Sequence, residues 1–145
     1  MSEHKINIEW SRQGVFSHEG FDRNHQIQFH SDVSLTAAGA NNPSAADPEQ
    51  MLAAALSSCH MQTFLVLASK KRLQVESYQD NAVAILSQRE DGKFYVSKIT
   101  LNPKVEFSGD KIPDRETLEN MHHKSHDHCF VANSISCEME VNIQK

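Results

Sequence analysis

Apolar residues alternate with polar ones along the first third of the chain, a pattern that is typical of β-strands. It predicts a first strand, a short second strand and a longer third strand before any helix begins. The apolar positions of these strands are Ile6, Ile8 and Trp10, then Val15 and Phe16, and finally Ile27, Phe29, Val33 and Leu35. A segment rich in Ala, Gly, Asn and Pro follows over residues 37–46 and predicts a loop.

A helix is predicted from about Asp47 to Lys71. Asp47 is a suitable N-cap, and Pro48 fits the first helical position, where a missing N–H costs nothing. Glu49 lies at the positive end of the helix dipole and the lysines lie at the negative end, which is the favourable arrangement. Apolar residues cover much of its circumference, so we expect this helix to be mostly buried at the centre of the fold.

Two strands, a second helix and a last strand are predicted after the long helix. The two strands are joined at Asp91-Gly92, a strong hairpin signal. The second helix is expected from Asp114 to about His128, and alternation resumes over residues 135–143. The predicted order βββ-α-ββ-α-β indicates an α+β protein with a mainly antiparallel sheet around a long central helix. We expect residues 1–145 to form a single domain.

Composition and charge exclude some function classes. The net charge of −5 argues against nucleic acid or an anionic membrane as a partner, because both require a basic surface. No secretory signal is visible, and no apolar run approaches the length of a membrane span. Three cysteines in 145 residues do not form a structural disulfide framework. These features favour a cytoplasmic protein in which any disulfide is transient.

Two of the three cysteines stand in unusual contexts and suggest thiol chemistry. Cys59 lies within the long helix among small residues, and Cys129 closes the histidine-rich second helix. One thiol that attacks and one that resolves are the minimum requirement of a thiol peroxidase. Cys59 is too far along its helix for the dipole to activate it, so a nearby cation is required. Cys137 lies at an apolar position of the last strand and is expected to be a small buried hydrophobe.

Glu49 precedes Cys59 by ten residues, which is about 15 Å along one helix. The two side chains cannot touch within a single helix. If both belong to one site, a second copy of the helix must run past the first in the opposite direction, which predicts a two-fold dimer. The alternative is that Glu49 is simply a carboxylate favoured at the start of a helix.

Two segments resemble the OsmC/Ohr family of thiol-dependent hydroperoxide reductases. Residues 47–60 (DPEQMLAAALSSCH) are similar to the run that leads to the family's reactive cysteine, with the same glutamate-to-cysteine interval. Residues 126–134 (HDHCFVANS) are similar to its resolving-cysteine segment, although Phe130 stands where proline is common. The chain also lacks the Gly-Arg-Asp-Gly-like segment of the Ohr branch, which leaves open the preference for organic peroxides.

The resemblance implies an intertwined homodimer that reduces hydroperoxides in oxidative stress defence, with inorganic peroxide left open as a substrate. Cys59 would attack the peroxide and become a sulfenic acid, and Cys129 would condense with it to a disulfide. No cofactor is implied. An external dithiol, either a lipoylated protein or a thioredoxin-like donor, would restore both thiols. Glu49 would orient an arginine that stabilises the thiolate and the departing oxygen.

The arginine of the site is identified by a third, weaker resemblance. Residues 21–25 (FDRNH) resemble the Tyr-x-Arg-x-His segment found in one branch of the family, which makes Arg23 the first candidate and Arg12 the second. A charge in an exposed turn is the alternative interpretation of Arg23.

Two other functions remain open from the sequence. His122 and His126 are four residues apart on one helical face, and Cys129 follows three residues later, so these residues could form a metal site. Alternatively, the chain could be a non-catalytic binding module with an apolar pocket and no reactive thiol.

Overall fold

The computed structural model describes all residues from 1 to 145, and the chain divides into two compact units, Met1–Met51 and Leu52–Lys145. The first unit contains an antiparallel sheet with the order β1-β2-β3. Its strands are β1 (Asn7–Glu9), β2 (His25–His30) and β3 (Val33–Ala37). Only three apolar residues of this unit are buried, namely Ile27, Ala37 and Ala38.

The predicted strand boundaries in the first unit are partly wrong. Residues 27–35 form a hairpin instead of one strand, because the chain reverses at Ser31-Asp32, and His30 then pairs with Val33. Ser and Asp are turn-forming residues, which explains the reversal without a glycine. Val15 and Phe16 form no strand and lie in an irregular segment before a turn at residues 18–20.

The long helix α1 (Pro48–Lys70) agrees with its prediction to within one residue at each end. Asp47 accepts a hydrogen bond from the Gln50 amide (2.8 Å), and Gln50 Oε1 accepts one from the Asp47 amide (2.9 Å). This reciprocal cap satisfies two amides that helix formation leaves unpaired.

The expectation that α1 is mostly buried is wrong for the single chain. Its buried residues form one stripe with spacings of three and four: Ala53, Leu56, His60, Phe64 and Ala68. By length and apolar composition alone, α1 could also cross a bilayer, contrary to the expectation that no segment reaches that length. The core helices of soluble proteins meet the same criterion, so this property is weak evidence for a membrane span.

Each of the two strands predicted after α1 is divided in two. The strands are β4 (Gln74–Asp80), β5 (Val83–Gln88), β6 (Phe94–Leu101) and β7 (Pro103–Ser108). The predicted hairpin at Asp91-Gly92 joins β5 to β6, with Gly92 at a φ of 84°. At the division, Asp80 Oδ1 accepts a hydrogen bond from the Asn102 amide (2.7 Å), and the Asn102 side chain donates to the Asn81 carbonyl (2.9 Å). These side chains replace ladder hydrogen bonds and interrupt both strands.

The second helix, α2 (Arg115–His128), begins one residue after its predicted start, and Asp114 is its N-cap. Asp114 accepts a hydrogen bond from the Thr117 amide at 2.8 Å. A short 3₁₀ helix (Ala132–Ser134) leads to β8 (Glu138–Val141), which pairs with β6 in parallel. The second unit thus has a β4-β7 sheet and a β5-β6-β8 sheet. The α+β class is confirmed, with eight strands in place of the six predicted and one parallel pair.

Two apolar clusters fill the second unit. Cluster 1 consists of the buried residues Ala53, Leu56, Ile99, Leu101, Cys129 and Ala132. Cluster 2 consists of Phe64, Ala68, Leu73 and Met121. The stripe of α1 contributes to both clusters, so one helix face joins them. Cluster 1 contains one of the two candidate redox cysteines.

Candidate functional site

Cys59 lies on α1 at the edge of the buried stripe. It is half-buried and packs against cluster 1. The hydroxyls that precede it are engaged elsewhere, since Ser57 donates to the carboxylate of Asp80 and Ser58 accepts from Gln62 (3.2 Å). The thiol is therefore partly accessible and lies beside an apolar surface.

Cys129 is the C-cap residue of α2, and its amide donates to the His126 carbonyl at 3.3 Å. Its side chain is fully buried in cluster 1. The Ala132 amide donates to its Sγ at 3.4 Å. Burial, followed by the adjacent Cys59 sulfur, raises the pKa of the Cys129 thiol to about 11. At neutral pH this thiol is therefore protonated.

The fold thus brings together the two cysteines that the sequence singled out, although 70 residues separate them along the chain (129 − 59). Both are free thiols. Cys137 is also free and half-buried, and it packs against the same cluster. Its packing agrees with the prediction of a small hydrophobe, but it is only partly buried.

Arg23 lies in the first unit, in a short segment fixed by hydrogen bonds. Trp10 Nε1 donates to the Asp22 carbonyl (2.8 Å), and His25 Nδ1 donates to the Arg23 carbonyl (2.8 Å). The guanidinium lies over the Phe21 ring at 4.5 Å, a cation–π contact. A Cβ on Gly39 would approach Arg23 Cδ to 3.1 Å, so glycine at that position leaves room for the arginine.

A cavity of about 480 Å³ opens beside Arg23 within the first unit. Trp10, Phe16 and Phe21 form an aromatic cluster on its wall, with ring centroids 5.5 to 6.4 Å apart. Arg23 and His25 supply the polar groups of the lining. An apolar cavity with one cation suits a ligand that has a hydrocarbon part and an electronegative end.

Glu49 is the second residue of α1 and is half-buried. No ion pair joins it to Arg23, so the structure does not show the predicted carboxylate–arginine contact. Arg12, the second candidate arginine, is exposed and donates to the Gly14 carbonyl at 2.5 Å. Of the two arginines, only Arg23 lines a cavity among those described.

A buried histidine pair was missed by the sequence analysis. His60 Nε2 and His122 Nδ1 share a hydrogen bond of 3.0 Å, and the two rings are nearly parallel, with centroids 5.3 Å apart. Burial lowers the pKa of His60 to about 4 and that of His122 to about 3. Both imidazoles are therefore neutral at pH 7. The sequence contained one signal for the burial of His60. It lies four residues after Leu56 and four before Phe64, so all three share the buried stripe of α1.

The metal site suggested for His122, His126 and Cys129 does not form in this structure. No group of three or more His, Cys, Asp or Glu side chains is arranged to hold a metal ion. Cys129 belongs to cluster 1 instead, where its sulfur lies next to Cys59.

Comparison with known proteins supplies the class of this α+β protein. The OsmC-like protein family matches residues 39–144, and the chain belongs to that family. No curated protein matches the chain.

Solved structures agree with this assignment. An OsmC-like protein of unknown function from Vibrio cholerae is 40% identical, with 99% of this chain and 100% of that chain covered and a TM-score of 0.93. An organic hydroperoxide resistance protein from Elizabethkingia anophelis shares the fold at 17% identity, with coverage of 99% and 98% and a TM-score of 0.71. The organic hydroperoxide resistance protein OhrB of Bacillus subtilis does so at 16% identity, with coverage of 97% and 98% and a TM-score of 0.70.

Proposed function

We propose that this protein is a thiol-dependent peroxidase that reduces organic hydroperoxides to alcohols. The Cys59 thiolate attacks the terminal peroxide oxygen, the O–O bond breaks, and the alkoxide leaves and takes up a proton. Cys59 is thereby oxidised to a sulfenic acid. The Cys129 sulfur then displaces hydroxide, which leaves as water with the proton of the Cys129 thiol, and a disulfide forms. A dithiol donor reduces this disulfide and is itself oxidised.

The observation that carries the proposal is the pairing of a half-buried Cys59 with a fully buried Cys129 in one apolar cluster. Only a thiolate attacks a peroxide efficiently, and the raised pKa of Cys129 keeps that thiol neutral. Burial also denies it direct access to a substrate. Cys59 is therefore assigned the attack, and Cys129 supplies both the second sulfur and the proton that converts hydroxide to water.

The cavity beside Arg23 favours an organic substrate over hydrogen peroxide. Its aromatic wall would take up a hydrocarbon group, and the guanidinium would attract the electronegative peroxide. Two proteins with the same fold are named organic hydroperoxide resistance proteins, although their identity to this chain is low. The reductant is proposed to be a lipoylated or thioredoxin-like dithiol in the cytoplasm.

A homodimer is part of the proposal. Apolar side chains that the single chain leaves exposed outside the cavity lining include Val15 and Phe29 of the first unit and Val66 of α1. A unit with three buried apolar residues lacks a core large enough for stability in isolation. A second copy of the chain would cover these residues, in accord with the two-fold arrangement expected if Glu49 and Cys59 belong to one site.

Arg23→Ala is expected to slow the reaction of the enzyme with cumene hydroperoxide by about 100-fold or more, because a preorganised cation on the departing oxygen is lost. Glu49→Ala should have a smaller effect in the same direction, since Glu49 is proposed to orient the arginine. Stopped-flow measurement of the first oxidation tests both variants. Arg12→Ala is the matched control and should react normally. A slow Arg12→Ala enzyme beside a normal Arg23→Ala enzyme would transfer the role to Arg12.

The function itself is tested by counting thiols. One equivalent of cumene hydroperoxide should remove two of the three thiols, and mass spectrometry of the digest should find the Cys59–Cys129 disulfide peptide. Dithiol treatment should restore all three thiols. If all three thiols stay reduced, the protein is not a peroxidase and a binding module becomes the better interpretation. A disulfide that includes Cys137 would show that the assigned pairing is wrong.

A further inference from the structure

The two candidate redox cysteines differ in how far a molecule from outside can reach their sulfur atoms. Cys129 is 0% exposed, whereas Cys59 is half-buried. The exposed residues of α1 within one turn of Cys59 are small or uncharged, namely Ala55, Ser58 and Gln62. A second copy of the chain can only cover more surface, so the burial of Cys129 holds in a dimer as well.

This difference in access bears on the second half of the proposed cycle, in which a dithiol donor reduces the disulfide. A thiolate reduces a disulfide by attacking one of its two sulfurs, and the rate depends on access to that sulfur and on the pKa of the thiol that leaves. The proposed function requires an opening through which a hydroperoxide reaches Cys59, and that opening also admits a thiol. Cys129 offers an incoming thiolate no exposed surface.

We propose that the dithiol donor attacks the Cys59 sulfur of the disulfide and never the Cys129 sulfur. A donor thiolate bonds to Cys59 Sγ, the bond between the two cysteines breaks, and its electron pair leaves on Cys129, which takes up a proton. The second donor thiolate then attacks the donor sulfur of this mixed disulfide. Cys59 leaves as a thiolate, and the donor is oxidised to its own disulfide. This inference rests on the proposed function, which supplies the disulfide.

The surroundings of Cys129 suit a sulfur that departs with negative charge. The Ala132 amide donates to its Sγ at 3.4 Å, and hydrogen bonds from Ala132 and Val131 both lower the pKa of the thiol. Burial outweighs them, so the pKa rises from its ordinary value of 9.0 to about 11. A rise of this size slows departure by about tenfold, because a thiol of higher pKa is a poorer leaving group. Complete burial is the stronger effect, since it prevents attack on Cys129 altogether.

Trapping of the mixed disulfide tests the proposal. Cys137→Ser, which retains both redox thiols, is oxidised with diamide, because diamide forms disulfides without a peroxide. A brief treatment with β-mercaptoethanol follows, since a monothiol cannot complete the second step. The reaction is quenched in acidic urea, and the free thiols are blocked with N-ethylmaleimide. Mass spectrometry should find mercaptoethanol on Cys59 and maleimide on Cys129, in at least about tenfold excess over the reverse product.

Reduced proteins with a single thiol provide a second readout of access. Cys129→Ser combined with Cys137→Ser retains only Cys59, and Cys59→Ser combined with Cys137→Ser retains only Cys129. The first protein should react with the thiol reagent DTNB at least about 100-fold faster than the second, because burial excludes the reagent and keeps Cys129 protonated. Urea-unfolded samples are the matched control, and the two rates should then be similar.

Three results would overturn the proposal: mercaptoethanol found mainly on Cys129, a diamide-treated protein whose thiols the monothiol releases only in urea, or equal DTNB rates in the two folded proteins. The thiol count with cumene hydroperoxide is a separate measurement that uses no monothiol. A protein that fails to react with the peroxide can therefore be distinguished from one whose disulfide is attacked at the other sulfur.

Discussion

Cys59→Ser is expected to lose hydroperoxide reduction by roughly a thousandfold or more, the scale of loss seen when an enzyme's nucleophile is removed. A serine hydroxyl is a far weaker nucleophile than a thiolate at neutral pH, and the buried Cys129 cannot replace it because it remains protonated. The measurement is the steady-state rate with cumene hydroperoxide and a dithiol donor. Because Cys59 is half-buried at the edge of cluster 1, the fold of the variant should be intact by circular dichroism.

Substitution of the other two cysteines distinguishes the resolving residue from the third thiol. Cys129→Ser should react once with peroxide and then stop as a sulfenic acid that dimedone traps at Cys59. Cys137→Ser should turn over normally and differ only in stability, because Cys137 packs against cluster 1 and takes no part in the proposed mechanism. Full turnover by Cys59→Ser would refute the assigned mechanism. A Cys137→Ser enzyme that stalls as a sulfenic acid would make Cys137 the resolving residue.

The helices could be predicted from the sequence because their signals are local. Asp47 and Gln50 bind each other's amides at the start of α1, and Asp114, the predicted first residue of the second helix, caps α2. Each of these contacts joins residues only three positions apart, so both partners can be recognised in the sequence. The hairpin at Asp91-Gly92 was correct for the same reason.

The strand boundaries could not be predicted, because distant residues determine them. Asp80 and Asn102 interrupt the long strands through a hydrogen bond between residues 22 positions apart. Asp and Asn are depleted in strands, but the residue type alone does not show where a strand ends. The extent of burial along α1 was also overestimated, since apolar composition does not reveal which faces a single chain covers.

The candidate site could be predicted only in part from the sequence. Cys59 and Cys129 were found through their segments, but the burial of Cys129 and the raised pKa that follows from it depend on packing from several elements. The aromatic wall beside Arg23 was read as strand positions, because Trp10 and Phe16 meet only in three dimensions. His60 directly follows Cys59 and was passed over, although its helical spacing placed it in the buried stripe.

The buried pair His60 and His122 is expected to make the protein sensitive to mild acid. In the folded state their pKa values are about 4 and about 3, against 6.5 for a free imidazole. Burial is the main cause. His126 lowers the pKa of His60 further while Asp80 opposes it, and His60 and Arg115 lower that of His122. Between pH 6.5 and about 4, the unfolded chain therefore binds more protons at these groups than the folded protein does.

Stability must then rise with pH across this window and be lost as the pH falls. The loss per imidazole approaches about 1.4 kcal/mol per pH unit only below pH 6.5, so the pair should cost about 3 kcal/mol of unfolding free energy between pH 6.5 and 5. Lowered carboxylate pKa values, as at Asp114 and Glu76, act in a more acidic range, because their ordinary values are already 3.8 and 4.5. Between pH 6.5 and 5, the change in unfolding free energy therefore reports mainly on the two buried histidines.

Urea unfolding at pH 7.5, 6 and 5, with a chelator present to exclude bound metal, measures this loss. His122→Phe replaces one titrating ring with an apolar ring that can still stack on Phe64, whose centroid lies 4.4 Å from that of His122. Its stability should fall about half as steeply with acid, because only His60 then takes up a proton on unfolding. The exposed neighbour His123 provides the control, because His123→Gln should show the same dependence of unfolding free energy on pH as the wild-type protein. Equal slopes in wild type and His122→Phe would show that the buried pair does not govern acid stability.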